Sequence, residues 1–124
     1  MLDITFYPHS NQEPRYVQMA TELMLWLAQS EFTEIGTDAP TDLTIDGEAA
    51  QLPLVKLGMG ELSNRRRFRD FFLEMVRRES DAVLTQLGDA PTKDEYQQVT
   101  YRLRKFLELL KCIENEEYQY LQRV

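Results

Sequence analysis

A chain of 124 residues with 43% hydrophobic and 28% charged positions lies in the globular range and has the length of one ordinary domain. Its formal charge of −7 and pI near 4.7 argue against a general affinity for nucleic acid or anionic membrane, since phosphate contacts need clustered Lys and Arg. The single cysteine, Cys112, and the single histidine, His9, exclude an intrachain disulfide and a two-histidine metal site.

The opening MLDITFYPHS has no basic stretch followed by an apolar one. The longest apolar run, Leu23 to Ala28, is far below the ~20 residues needed to span a bilayer. Neither export nor a membrane anchor is expected, and the cytoplasm is the expected compartment. Leu2, Ile4 and Phe6 alternate with Asp3, Thr5 and Tyr7, predicting a strand at 2–7 with one buried face, ended by Pro8. Asn11 as N-cap and Pro14 in a first turn predict a helix running to about Ser30. Two apolar stripes, Val17/Ala20/Met24/Leu27/Ala28 and Met19/Leu23/Trp26, predict its burial on two sides.

From Phe32 to Gln51 the chain is acidic and rich in turn residues, with a break at Gly36 to Pro40, and a loop is expected there. Thr41 to Ile45 and Leu52 to Leu57 flank Asp46-Gly47 as β-favouring runs. They predict a hairpin over 41–57 whose connection is longer than two residues, with Pro53 at an edge or strand start. Ser63 or a neighbour is expected to cap a second helix, in which Phe68, Phe71, Phe72, Met75 and Val76 follow helical spacing, and Val83, Leu84 and Leu87 extend it or form a short successor up to Gly88-Asp89-Ala90-Pro91. Thr92 with Glu95 is a capping-box signature for the last helix. Its seam of Tyr96, Val99, Leu103, Phe106, Leu110 and Ile113 continues to Tyr120 and Val124, broken at Glu117, so one helix of roughly 45 Å is expected. The short link makes the last two helices antiparallel neighbours.

Chemistry-bearing residues are sparse. His9 beside Ser10 reads either as a base next to a nucleophile or as a plain loop residue, and the latter is expected. Cys112, deep in a helix and away from an N-terminal dipole, is expected to be structural. Asp38, Asp42, Asp46 and Glu48 raise the question of a cation, but their spacing is not that of an EF-hand loop, and turns favour Asp for their own reasons. Gly58-Met59-Gly60 is too brief for a phosphate cradle. No catalytic residue, cofactor or metal is assigned.

Charge is more informative. Arg65, Arg66, Arg67, Arg69, Arg77 and Arg78 share fourteen positions with only Asp70 and Glu74 as acids, while the chain as a whole is acidic. Such a segment pairs with the chain's own acids, orients an acidic protein partner or holds a phosphate backbone, in that order of expectation. Glu114, Glu116 and Glu117 near a helix C-terminus oppose the macrodipole. With Tyr118 and Tyr120 they form an amphipathic end suited to a basic or apolar groove. Partner-binding candidates are therefore Arg65, Arg66, Arg69, Arg77, Arg78, Glu114, Glu116, Glu117, Tyr118 and Tyr120.

The order strand, helix, turn-rich segment, Leu52-Pro53-Leu54-Val55 and helix over roughly residues 2–76 resembles the thioredoxin-type half of glutathione transferases, which implies a thiol-ligand pocket near His9, Ser10 and Pro53. There is no Cys-x-x-Cys, and Leu62-Ser63 stands where that family has Glu-Ser. Leu43 to Gly47, Leu52-Pro53-Leu54 and the Arg/Phe helix are similar in style to small phage tail-assembly chaperones. Neither resemblance identifies the chain.

The expected fold is α+β and mainly helical, one domain over 1–124: a small sheet packed by one helix in 1–60, and a long antiparallel helical hairpin in 61–124. The expected function is a non-enzymatic adaptor, inhibitor or assembly chaperone that binds another protein or itself through helical surfaces. The alternatives are a thioredoxin- or transferase-like enzyme and an acidic decoy that mimics nucleic acid.

Overall fold

The computed structural model describes residues 2–9, 12–88 and 91–123. The proposed nucleophile Ser10, the N-cap Asn11, the Asp89-Ala90 stop and the seam residue Val124 lie outside these. The protein is α+β and half helical, with one five-stranded antiparallel sheet and three helices. In chain order the elements are β1 (Leu2–Pro8), β2 (Arg15–Met19), α1 (Thr21–Ala28), a 3-10 turn (Glu31–Glu34), β3 (Ala39–Ile45), β4 (Glu48–Lys56), α2 (Asn64–Leu87), α3 (Lys93–Glu114) and β5 (Tyr118–Arg123). The sheet order is β2-β1-β5-β4-β3.

Two segments depart from the sequence expectation. Residues 15–19 form a strand rather than the start of a helix: Val17 and Met19 are fully buried while Tyr16 and Gln18 face out, a period of two. The helix is thereby cut to Thr21–Ala28, with Leu23, Met24 and Leu27 buried. At the other end, α3 stops at Glu114, the chain turns at Asn115, and β5 enters the middle of the sheet between β1 and β4. Leu121 of β5 is fully buried opposite Phe6 and Val55. A strand there satisfies backbone groups on both neighbouring strands, which a continued helix would leave open.

The hairpin is present, and its connection is shorter than expected. Ile45 pairs with Glu48 across Asp46 and Gly47, whose φ values of 51° and 81° are those of a type I′ turn matching the strand twist. Pro53 lies opposite Pro40, in the part of β4 paired with β3 alone. The expected loop from Phe32 holds the 3-10 turn, capped by Ser30 Oγ, and packs Phe32 against the rings of Phe68, Phe71 and Phe72 at 5.5–6.2 Å. Gly36 sits at φ 68° where a Cβ would come within 2.7 Å of Val55 Cγ1 and Asn64 Nδ2.

Both long helices begin where the caps predict: Ser63 Oγ accepts from the Arg66 N–H and Thr92 Oγ1 from the Glu95 N–H. One face of the sheet, with Ile4, Phe6, Leu121, Val55 and Leu57, shares the main core with Phe68, Phe72, Phe106, Leu109 and Ile113 of the helices. Tyr7, Leu43 and Leu54 form a second, smaller cluster with Tyr120 and Leu52. Contacts between α2 and α3 step down one helix as they step up the other, from Arg65 with Ile113 through Phe72 with Phe106 to Glu79 with Arg102, so the two run antiparallel.

Candidate functional site

Of the six clustered arginines, Arg65 points inward. It is 7% exposed, and its guanidinium donates to the carbonyls of Gly58 (2.9 Å), Ile113 (2.6 Å), Asn115 (3.0 Å) and Tyr118. A cation at the C-terminal carbonyls of α3 complements the helix dipole. Burial lowers its pKa from the ordinary arginine value. Arg65 thus ties the start of α2, the end of α3 and the start of β5, and as a partner-binding candidate it is corrected to a structural clamp. Arg123 does similar work, donating to Phe32 and Ile35 carbonyls at 2.6 and 2.8 Å.

Three of the others pair along their own helix: Arg66 with Asp70 at 3.3 Å, and Arg77 and Arg78 with Glu74 at 2.6 and 3.1 Å. These two arginines hold the Glu74 carboxyl at a pKa of about 2. Arg67 is exposed and Arg69 half-buried. Glu114, Glu116 and Glu117 are exposed beside the α3 terminus. Tyr118 and Tyr120 are instead half-buried in β5, Tyr118 with its ring 5.8 Å from Phe6 and Tyr120 in the second cluster. The expected sticky helix end is therefore a central strand, and the two tyrosines are packing residues.

The thiol of Cys112 is buried, and burial pushes its pKa up, the opposite of what a nucleophile needs. His9 is exposed at the end of β1. Among the described residues no group of three or more His, Cys, Asp or Glu could hold a metal ion. Asp38 lies 3.5 Å from Arg123. No helix among them is long and apolar enough to cross a membrane. The thioredoxin-type expectation meets a sheet whose described pairings are all antiparallel, where that fold requires a parallel βαβ unit. Glu74, Glu79 and Glu108 are paired with this chain's own cations.

Two surfaces stand out. A groove of about 950 Å³ separates α1 from α3, floored by Leu23, Trp26 and Tyr101. Arg102 lies over the Trp26 ring at 4.7 Å and reaches Glu79 at 3.5 Å. On the opposite side of the helical pair, turned from the sheet and α1, Leu84 is 80% exposed, Tyr96 51%, Leu73 40% and Leu107 37%. Leu84 points to solvent, while its neighbour Val83 is buried. Leu73 and Leu84 are eleven positions apart on α2, and Tyr96 and Leu107 eleven apart on α3. At 3.6 residues per turn each pair lies on one side of its helix. The antiparallel register sets Leu73 level with Leu107 and Leu84 level with Tyr96, so the four outline one stripe along the crease. The sequence signal was available in Leu73 and Leu84, which fall off the Phe68/Phe72/Met75 stripe.

Comparison with protein-family models, curated proteins and solved structures finds no match for this chain.

Proposed function

We propose that the protein is a non-enzymatic interaction module, an adaptor, inhibitor or assembly chaperone of the cytoplasm, that binds a protein through the outer face of the α2–α3 hairpin. The observation that carries this reading is the stripe of Leu73, Leu84, Tyr96 and Leu107, large side chains left exposed in register on both helices. Apolar surface kept in contact with water forgoes ~25 cal/mol per Å² of burial, and a contiguous patch of it marks a contact site more often than scattered residues do. The buried thiol of Cys112, whose pKa burial pushes up, favours binding over catalysis.

Tagged protein incubated with nuclease-treated extract of its native cells and eluted across a salt gradient tests the reading. A stoichiometric protein retained by the natural chain and lost with Leu84→Ser, a substitution at an exposed position, is the expected result. Recovery of the bait alone, or a partner indifferent to the substitution, would overturn it.

A further inference from the structure

Among the described residues β1 and β4 meet only through β5, which pairs with β1 from Ile4 with Arg123 to Pro8 with Tyr118, and with β4 at Val55 with Leu121 and Lys56 with Tyr120. The Leu57 N–H adds a bond to the Gln119 carbonyl at 2.9 Å. With β5 withdrawn, the sheet parts into two hairpins, β1–β2 and β3–β4, and the slot between them loses the fully buried Leu121. Its backbone groups are costly to leave unpaired, and a strand of the same sequence refills it without loss.

The link from α3 to β5 decides which copy of the chain supplies that strand. It is Asn115, Glu116 and Glu117, with neither Gly nor Pro, and glutamate is a good helix former. Three sets of contacts hold it bent. Asn115 Oδ1 accepts from the Glu117 N–H at 3.0 Å, the Asn115 carbonyl accepts from the Tyr118 N–H at 3.2 Å, and Arg65 donates to the carbonyls of Ile113 and Asn115. A straight helix would use the same groups differently, with the Glu117 N–H donating to the Ile113 carbonyl. Bent and straight links thus compete for one set of donors and acceptors.

We infer that β5 is exchangeable between two copies of this chain: α3 runs straight through 115–117, and each copy lays its β5 into the β1–β4 slot of the other. The exchanged pair keeps Leu121 and the ladders to β1 and β4 in place, so it differs from the monomer only at the link and in the cost of association. It uses no part of the outer face of α2 and α3 and is independent of the partner reading above.

Two full-length variants refolded together from urea test this. One carries Thr5→Cys and the other Gln122→Cys, positions that face each other across β1 and β5, and both carry Cys112→Ala so that no other thiol is present. Directly opposite positions of an antiparallel pair lie within disulfide reach. Mild oxidation should join the two chains, seen on a non-reducing gel, and the joined share should rise with protein concentration during refolding, since exchange is bimolecular and closure within one chain is not. Lys56→Cys with Tyr120→Cys repeats the test across β4 and β5 at more exposed positions.

Substitutions in the link set the direction of two further changes. Glu116→Pro suits the bent form, because the Glu116 N–H donates none of the described hydrogen bonds and Asn115 has a ψ of 112°, the extended conformation that a following proline requires. It should cut the joined share at least about tenfold, given what proline costs a helix interior. Asn115→Ala removes the acceptor of the turn and favours helix, and should raise the share at least about threefold. Leu121→Ala, which harms both forms alike, should leave it unchanged. No joined species from either thiol pair at any refolding concentration would overturn the inference. So would a dimer in sedimentation equilibrium that forms without the link, since another surface would hold it, or a joined share indifferent to Glu116→Pro.

Discussion

Arg65→Ala should be among the most damaging single changes in the chain. It removes the donors now held by the carbonyls of Gly58, Ile113, Asn115 and Tyr118. Hydrogen bonds from a charged donor contribute ~1.5–3 kcal/mol each, and an orphaned buried carbonyl costs ~1–3 kcal/mol. Against this stands the desolvation of the guanidinium, visible in its lowered pKa, which means that burial disfavours the charged form and cancels part of the gain. The net expectation is a loss of ~3–5 kcal/mol. With a urea slope of ~2 kcal/mol/M, the unfolding midpoint followed by circular dichroism would fall by about 2 M. Arg65→Met, which keeps much of the aliphatic volume and buries no charge, should fall less than Ala. Arg65→Lys keeps the charge, but one nitrogen cannot span carbonyls on three segments, and it should lie between. A midpoint for Arg65→Ala within about 0.3 M of the natural protein, well under 1 kcal/mol at that slope, would refute the clamp.

Other consequences are equally direct. Gly36→Ala, which meets both a left-handed φ and the side chains of Val55 and Asn64, should cost ~2–4 kcal/mol, against ~1 kcal/mol for Gly47→Ala, where the added Cβ meets nothing within 4 Å; equal denaturant midpoints would contradict this. Leu121→Ala should destabilise by ~3–4 kcal/mol because Leu121 is fully buried in the central strand, whereas Leu84→Ala should stay within ~0.5 kcal/mol; thermal scans of the two variants decide it. Cys112 should react with Ellman's reagent at pH 8 at least about a hundredfold faster in urea than in the folded protein, since burial both shields the thiol and raises its pKa; rapid labelling of the folded chain would count against it. Glu74 titrates near 2 in the folded state, below its unfolded value of 4.5, so its pairing with Arg77 and Arg78 stabilises the fold above pH 4.5 and is lost as pH falls toward 2. A carboxyl NMR titration with a midpoint near 4.5 would deny the pairing, and Arg77→Ala should raise the midpoint.

Local chemistry was enough for the elements whose signals are short-range. The alternation of Ile4 and Phe6, the cap residues Ser63 and Thr92, the β-favouring runs that flank Asp46-Gly47, though not the two-residue length of their connection, and the Phe68/Phe72/Met75 stripe all encode their structure within about one turn or strand length. What these residues could not encode is which partner each segment meets. Arg15 to Met19 carries apolar residues at positions 17 and 19 that suit a strand and, with Leu23 and Trp26, also suit a helix; pairing with β1 selects the strand. Tyr118 to Arg123 continues the helical seam of α3 by spacing alone, with neither Gly nor Pro at Asn115-Glu116-Glu117 to end it. Its conversion to the central strand depends on β1, which is more than a hundred positions away, on β4, and on Arg65 gathering the carbonyls at the turn. The outer stripe has the same origin. Leu84 and Leu73 are apolar residues in an apolar-patterned helix, and their exposure arises because α3 and the sheet cover only the other sides of α2. Periodicity states which residues share a face, and the arrangement of neighbouring elements determines which faces are covered, since burial is a property of the assembled chain.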